Sequence, residues 1–130
     1  MSPSVQPSDV DPRFTPKKIA EAYALISNSL HKTPILTSTQ INDLTAPSPL
    51  SIYFKAEVFQ KSGAFKIRGA SHAITRLPPS SLEKGVITHS SGNHSAALAR
   101  AARERNVKCQ VVMVNTNRAG DSCSLRMRVN

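Results

Sequence analysis

Hydrophobic residues recur at helical spacing in the first third of the chain. Thr15 followed by Pro16 is typical of a helix N-cap with proline at the first helical position. The period predicts a helix that ends at about His31, before Thr33-Pro34, and whose apolar face consists of Ile19, Ala22, Tyr23, Ile26 and Leu30. Residues 1–14 carry three prolines and show no such period, so we expect a flexible lead-in there.

The middle of the chain predicts a strand, a turn and a second helix. Apolar and polar residues alternate over LSIYFK, residues 50–55, which is typical of a strand. The QKSG segment, residues 60–63, predicts a turn, and a helix follows to Leu77, where Pro78-Pro79 ends it. The stretch PILTSTQINDL, residues 34–44, fits either a short strand with one helical turn or a plain loop.

A βαβ unit is the clearest pattern in the sequence. GVITH (85–89) predicts a strand, SSGNH (90–94) a tight turn, SAALARAARER (95–105) a helix with Asn106 as its C-cap, and VKCQVVMV (107–114) a second strand. This order implies parallel strands joined by a right-handed crossover. After Val114 neither period continues. Because two strands and one helix cannot cover both faces of a parallel sheet, the pattern predicts an incomplete α/β domain.

Charge and composition narrow the function classes. The formal net charge is +9, with seven Lys/Arg against two acidic residues in 100–130. Nucleic-acid binding would favour aromatic residues for stacking, but the chain has no Trp and two Tyr, so that function remains a disfavoured alternative. Cys109 and Cys123 are too few for a disulfide framework or zinc site, and Cys109 is expected to be buried. No apolar run could span a membrane, so we expect a soluble, cytoplasmic protein.

Lys66 is a candidate nucleophile at the start of the second helix. The spacing predicts that it shares an apolar stripe with Ala70, Ala73 and Leu77, beside Ile67 and Ile74. An amine held there away from water is neutral and nucleophilic, as Schiff-base chemistry with an aldehyde requires, and the helix dipole acts in the same direction. The alternative is a first-turn lysine whose alkyl stem carries the ammonium to solvent, which on pattern alone is the commoner case.

The turn in THSSGNHSAALA, residues 88–99, is a candidate anion site. Short hydroxyls and backbone N–H groups between a parallel strand and a helix N-terminus can converge on a carboxylate or phosphate. The turn matches neither the dinucleotide fingerprint nor a P-loop. It could equally be a capping turn in which Ser91 or Asn93 satisfies the helix and binds nothing. His89 and His94 have no neighbouring acidic cluster, so no metal site is expected.

Together the two stretches resemble a known family. KAEVFQKSGAFKIRGA (55–70) with THSSGNHSAALA, and LHKTPILTSTQIN (30–42), closely resemble the serine racemase and serine/threonine dehydratase family of fold-type II pyridoxal-phosphate (PLP) enzymes, related to the tryptophan synthase β chain. The resemblance runs from about Thr15 to Val114. It implies an α/β fold whose parallel sheet is flanked by helices in three layers. Ala64 and Ser95 stand where the family often has Ser and Gly, which weakens the substrate assignment more than the cofactor assignment.

The resemblance implies a role for each matching residue. Lys66 would hold PLP as a Schiff base and move the Cα proton on its own face, and Ser91 would be the acid/base on the opposite face. Phe65 and Asn93 would contact the cofactor, and the substrate carboxylate would be bound by Ser90, Ser91, Gly92, Asn93 and His94. The family reaction is racemisation of serine, or β-elimination from serine or threonine to a 2-oxo acid and ammonia. A nucleotide effector is implied at Ser38, Thr39, Gln40, Lys61 and Ser62.

The resemblance also implies that much of the family's chain is missing here. Family members are homodimers of chains well over twice as long, and their glycine-rich phosphate loop, their partner for the pyridine nitrogen and their divalent-cation site lie in later residues. We therefore expect the large domain's N-terminal segment to about residue 80, the start of a small βαβ domain from about 85, and an atypical tail over 115–130. The expected function is PLP-dependent catalysis by an N-terminal fragment that is weak or inactive alone. The alternative is a non-catalytic fragment that binds a partner subunit.

Overall fold

The computed structural model describes residues 11–48, 50–114 and 125–129. In these ranges the helices are α1 (Pro16–Ile26), α2 (Thr39–Asp43), α3 (Lys66–Arg76), α4 (Pro79–Lys84) and α5 (Asn93–Arg103), and the strands are β1 (Ile35–Leu36), β2 (Phe54–Lys55), β3 (Val86–His89), β4 (Cys109–Val114) and β5 (Leu125–Val129). Of the predicted lead-in, Pro12–Phe14 form a short 3₁₀ turn, and residues 1–10 lie outside the described ranges.

Helix α1 begins where the sequence predicts. The Thr15 hydroxyl accepts a hydrogen bond from the Lys18 N–H at 3.3 Å, and Pro16 occupies the first helical position. Of the predicted apolar face, Ile26 is buried, but Ile19 and Tyr23 are exposed.

The same helix ends five residues earlier than predicted. It stops at Ile26 rather than His31, and Ser27–Ser29 continue as a 3₁₀ turn. The Ser29 hydroxyl donates to the Ile26 carbonyl at 2.8 Å. A side chain thus satisfies a carbonyl at the end of the helix.

The strand predicted over residues 50–55 is reduced to β2. It pairs antiparallel with the two residues of β1, so the alternative of a short strand plus helical turn is the correct one for residues 34–44. The Leu50 N–H donates to the Thr45 hydroxyl and the Ile52 N–H to the Asn42 side-chain oxygen. Because side chains take these donors, the chain over residues 50–53 does not continue the strand.

The predicted βαβ unit is confirmed. Strands β3 and β4 pair in parallel, from Val86 opposite Cys109 to His89 opposite Val112, with α5 as the crossover. Helix α5 spans Asn93–Arg103, so it begins and ends two residues earlier than predicted, and its C-cap is Glu104 rather than Asn106. Two neighbouring features also differ from the prediction. Pro79 starts α4 instead of only ending α3, as proline can at a first helical position. After Val114 the prediction of no regular structure is wrong, because β5 pairs antiparallel with β4.

The core lies between the sheet and two stacked helices. It joins α3, α5 and β4 through Ile67, Ala70, Ile74, Ala97, Leu98, Ala101, Ala102, Cys109 and Val111. Cys109 is buried as predicted, and burial raises the pKa of its thiol. Helix α5 therefore covers one face of the sheet and α3 packs on α5, which matches the predicted α/β class. On β3, Ile87 is 64% exposed.

Candidate active site

Lys66 starts α3 and is exposed. Its Nζ lies 5.0 Å from the centroid of the Phe65 ring, which precedes the helix. Of the two alternatives that the spacing left open for Lys66, the exposed first-turn lysine is the one observed. The buried stripe of α3 consists of Ile67, Ala70, Ser71 and Ile74, while Ala73 and Leu77 are exposed. Because α5 packs against this stripe, which is centred away from Lys66, the lysine faces solvent.

The turn before Lys66 has an unusual backbone. Ser62 and Gly63 both have positive φ, at 61° and 69°, and the Gly63 N–H donates to the Gln60 carbonyl at 2.8 Å. The left-handed region suits glycine but is costly for serine. Ala64 then returns to extended backbone and is buried. The predicted turn is thus confirmed, and its geometry determines how the chain enters α3.

The buried side chain of Gln60 hydrogen-bonds to the backbone of this turn and of the His31 segment. It is 3% exposed, and its side-chain amide donates to the His31 carbonyl at 2.7 Å. The same side chain's oxygen accepts from the N–H groups of His31 at 2.9 Å and Lys61 at 3.0 Å. The amide therefore joins the turn to a segment 29 residues earlier in the sequence.

A second set of contacts ties the first turn of α3 to the preceding segment. The Arg68 guanidinium donates to both oxygens of Glu57, at 2.8 and 2.7 Å, and the Thr33 hydroxyl donates to one of them at 2.6 Å. The Arg68 hydrogen bonds lower the pKa of Glu57 to about 2, and the same pairing raises the pKa of Arg68. Lys55 donates to the Thr33 carbonyl at 2.6 Å, which completes the cluster.

Sequence patterns did not identify Gln60, Glu57 or Arg68 as parts of the site. Glu57 and Arg68 lie in different elements, and Gln60 follows the exposed residues Val58 and Phe59. A short-range period cannot detect such contacts. One feature of the sequence could have indicated Gln60: it lies between two apolar residues and a glycine-containing turn, where a polar side chain often hydrogen-bonds to the backbone.

The predicted substrate residues lie together at the junction of β3 and α5. The Ser90 N–H extends the β-ladder to the Val112 carbonyl at 3.1 Å, and the Gly92 N–H donates to the Ser90 hydroxyl at 3.2 Å. Helix α5 begins at Asn93, two residues earlier than predicted, with Gly92 as its N-cap. This places Asn93 and His94 in the first turn.

Several donors at this junction are not used within the described residues. No hydrogen bond in that part of the chain engages the side chains of Ser91, Asn93 or His94, all of which are exposed. The first backbone N–H groups of a helix also lack intrahelical acceptors. The arrangement is therefore able to bind a carboxylate or phosphate group.

Lys66 at the start of α3 and the Ser90–His94 turn at the start of α5 are connected through the packing of these two helices. α3 packs against α5, Lys61 forms an ion pair with Glu104 at 3.1 Å, and Arg105 donates to the Thr75 hydroxyl at 2.6 Å. Within the described ranges, no hydrogen bond or ion pair links the two groups directly.

The residues predicted for a nucleotide effector lie in two separate elements. Ser38 caps α2, where its hydroxyl accepts from the Ile41 N–H, and Thr39 and Gln40 begin that helix. Lys61 and Ser62 lie in the turn before α3, and Lys61 is engaged by Glu104. Nothing in these contacts tests the effector, which stays a prediction.

Neither a metal cluster nor a membrane-spanning helix is found among the described residues. No group of three or more His, Cys, Asp or Glu side chains there could hold a metal ion, and no helix there is long and apolar enough to cross a bilayer. A cavity of about 310 Å³ lies at the far end of α5 from the Ser90–His94 turn, lined by Ala99, Arg103, Asn106, Val107, Lys108 and Cys109.

Comparisons with known proteins point to one family. Residues 26–127 match the sequence profile described as pyridoxal-phosphate dependent enzyme. A serine racemase of Dictyostelium discoideum is 50% identical over 99 residues, which are 76% of this chain and 30% of that protein. The solved structure of maize serine racemase superposes with a TM-score of 0.70 at 45% identity, covering 76% of this chain and 30% of that one.

A threonine deaminase has the same fold over this region. The crystal structure of the threonine deaminase from T.th. superposes with a TM-score of 0.65 at 37% identity and covers 77% of this chain and 30% of that one. The chain thus spans about a third or less of the length of the relatives it matches.

Proposed function

The chain belongs to the pyridoxal-phosphate-dependent enzyme family, and we propose that its Lys66 attaches this cofactor for the racemisation or β-elimination of a small amino acid such as serine or threonine. The relatives that it resembles include serine racemases and a threonine deaminase. Because the chain spans only part of their length, its own turnover, its substrate and its oligomeric state all belong to the proposal.

The observation that carries the proposal is the state of the Lys66 amine. It contacts the Phe65 ring, and no carboxylate in the described part of the chain pairs with it. The acid nearest in sequence, Glu57, is already bound by Arg68. The amine is therefore not occupied by an acidic partner within the described residues and is available to an aldehyde carbon.

The ring hydroxyl of the cofactor and the substrate carboxylate have candidate partners at the start of α5. The Ser90–His94 turn offers the side-chain donors of Ser91, Asn93 and His94, which are not used within the described residues. Gly92 has open space where a Cβ would stand, so a ligand can approach its backbone closely. The residues present therefore fit this cofactor and an amino-acid carboxylate.

Each residue has a distinct proposed task. PLP, when bound, supplies the electron sink that stabilises negative charge at the substrate Cα. Lys66 Nζ would hold the cofactor and, once the substrate amine has replaced it there, would move the Cα proton on its own face, while Ser91 Oγ would move it on the other face. Asn93 would donate to the ring hydroxyl. The substrate carboxylate would be bound by Ser90, Ser91, Gly92, Asn93 and His94. Loss of the Cα proton and of the β-hydroxyl as water, followed by hydrolysis, would give a 2-oxo acid and ammonia, whereas return of the proton on the opposite face would invert the Cα centre.

The proposal is tested by locating the attachment. The 130-residue chain is incubated with PLP, its visible spectrum is recorded, and borohydride reduction followed by peptide mass spectrometry identifies the labelled lysines. We expect the label on Lys66 to predominate and the visible band to disappear in Lys66→Ala. Ammonia release from serine by this chain alone should be weak or undetectable.

The matched control is Lys84→Ala, which removes an exposed lysine in the last turn of α4. It should leave both the band and the label on Lys66 unchanged. A spectrum that is the same in Lys66→Ala as in the unmodified chain would contradict the proposal.

A second candidate function is binding to another chain of this family. The observation that favours it is Ile87, which is 64% exposed on the sheet. Co-purification with the Dictyostelium serine racemase, lost in Ile87→Asp and not accompanied by ammonia release from serine, would favour this function over catalysis.

A further inference from the structure

The segment that leads to Lys66 is anchored at two points. At its first anchor, the Glu57 carboxylate receives both arms of the Arg68 guanidinium, and Arg68 lies in the same helical turn as Lys66. At its second anchor, the Gln60 amide is bonded in both directions to the His31 backbone. Lys66 lies between these anchors, so its backbone is held from both sides.

The first anchor fixes how α3 is oriented. A bidentate guanidinium–carboxylate pair has one preferred geometry, unlike a single point contact. The Thr33 hydroxyl, which belongs to a residue only 4% exposed, donates to the same carboxylate and prevents it from turning. The first turn of α3 therefore cannot rotate about its axis without breaking these hydrogen bonds.

The second anchor fixes the strained turn. A serine at φ 61°, next to a glycine at φ 69°, is in a conformation that is unfavourable for a residue with a side chain, and such a backbone persists only where surrounding contacts determine it. Gln60 supplies those contacts, since its buried amide bonds His31 on one side and Lys61 at the turn on the other. Without them, the turn would relax and the entry of the chain into α3 would change.

The Lys66 side chain itself is not fixed in this way. Within the described residues its Nζ has no hydrogen bond or ion pair and lies 5.0 Å from the centroid of the Phe65 ring, and Phe65 is 58% exposed. The position of the amine is thus determined mainly by its backbone. An error of about 1 Å at a reacting group can reduce a rate by up to about 100-fold.

We propose that Gln60 and the Glu57–Arg68 pair are positioning residues that set the place of the Lys66 amine for its reaction with the cofactor aldehyde. This rests on the proposed function of Lys66. In the reaction the neutral amine adds to the aldehyde carbon, a C=N bond forms, and the carbonyl oxygen leaves as water with the two amine protons. Neither Gln60 nor Arg68 exchanges a proton in this step.

The test measures where PLP attaches and how fast. Gln60→Met keeps the length of the side chain and removes its hydrogen bonds. Arg68→Lys keeps the charge and removes the two-armed geometry. For each variant, borohydride trapping at timed intervals gives the rate of labelling at each of the eight original lysines and, in Arg68→Lys, separately at the introduced one, with the circular dichroism spectrum and thermal midpoint as measures of folding. We expect labelling of Lys66 to slow about tenfold or more, while the other lysines react as before.

Two comparisons separate positioning from loss of fold. The control Arg100→Lys makes the same substitution in an ion pair with Glu104 on α5, and should leave Lys66 labelling unchanged. Trace acylation without cofactor should modify Lys66 equally in all variants, since it reports only that the amine is accessible in the folded chain. If Gln60→Met does not fold, Arg68→Lys decides the question.

The outcomes are distinct. Slower labelling of Lys66 in a folded variant, with acylation unchanged, supports the proposal. Labelling of Lys66 at the unmodified rate in folded Arg68→Lys and Gln60→Met overturns it, while leaving the proposed function intact. Failure of PLP to label Lys66 in the unmodified chain overturns both.

Discussion

Glu57 should give the folded chain a stability that depends on pH. The Arg68 hydrogen bonds, with that from Thr33, lower the pKa of Glu57 from 4.5 to about 2 in the folded state. Because the folded pKa lies below the unfolded one, the unfolded chain binds more protons between these values. The stabilisation is therefore complete above about pH 4.5 and is lost as the pH falls through about 2.

The size of this contribution follows from the two pKa values. A change from 4.5 to about 2 corresponds to about 3 kcal/mol if it is fully expressed. The side chains of Arg68 and Glu57 are 28% and 18% exposed, so solvent screens part of the interaction and about 2 kcal/mol is the better expectation. Glu57→Gln should therefore lower the free energy of unfolding by about 2 kcal/mol at neutral pH.

The assay measures the free energy of unfolding in urea for the unmodified chain and for Glu57→Gln, at a series of pH values from neutral to about pH 2. Far-ultraviolet circular dichroism reports the unfolding. The difference in unfolding free energy should shrink as the pH falls, because the unmodified chain loses the charged pair and the variant has none to lose. Glu83→Gln, at an exposed glutamate of α4, serves as control and should follow the unmodified chain. A difference that stays constant across this range would refute the reasoning.

Two further substitutions test the packing and the backbone. Ser71 is 2% exposed, and its hydroxyl has no hydrogen-bond partner among the described residues. Ser71→Ala should therefore raise the free energy of unfolding, measured by urea titration, by about 1 kcal/mol. A loss of stability in this variant would show that the hydroxyl is hydrogen-bonded. Gly85 has φ +88°, and a Cβ there would lie 2.8 Å from the Lys108 carbonyl oxygen. Gly85→Ala should lower the free energy of unfolding by about 2 kcal/mol, which is seen as a lower thermal midpoint. The decrease should be larger than that caused by Gly63→Ala, because a Cβ at position 63 would meet no described atom within 4 Å. Equal effects of the two glycine substitutions would contradict this account.

The elements that the sequence predicts well are those specified by neighbouring residues. Thr15 caps α1 through a contact three residues away, and the βαβ unit combines a strand, a glycine turn and a helix former in an unbroken run. Strand β5 was missed because it pairs with β4 across residues that show no period. The length of β2 was overestimated for a related reason: a strand extends only as far as its partner, and β1 has two residues.

The placement of Lys66 shows the same limit at the candidate site. Apolar spacing along α3 allows more than one stripe, and consecutive residues lie about 100° apart around the helix. The sequence could not decide which stripe faces α5. Of the predicted stripe Ala70 is buried, whereas Lys66, Ala73 and Leu77 are exposed. The resemblance to a family identified the lysine as a candidate because it matches residue types in order, which does not depend on the burial of the helix face.

The exposure of Lys66 changes what the described residues can contribute to its chemistry. Burial would have favoured the neutral amine, but here the amine is open to water, and these residues supply position rather than desolvation. The two anchors do so at the start of α3, through Gln60 before Lys66 and Arg68 after it, while the donors of the Ser90–His94 turn lie at the start of α5. Within the described ranges, a ligand that is bound by Lys66 and by the Ser90–His94 turn must bridge α3 and α5. These helices contact each other through their packed apolar faces, and the Lys61–Glu104 ion pair joins the segments next to them. The binding energy of such a ligand would then also hold α3 against α5, so cofactor attachment and the stability of this helix pair should be coupled.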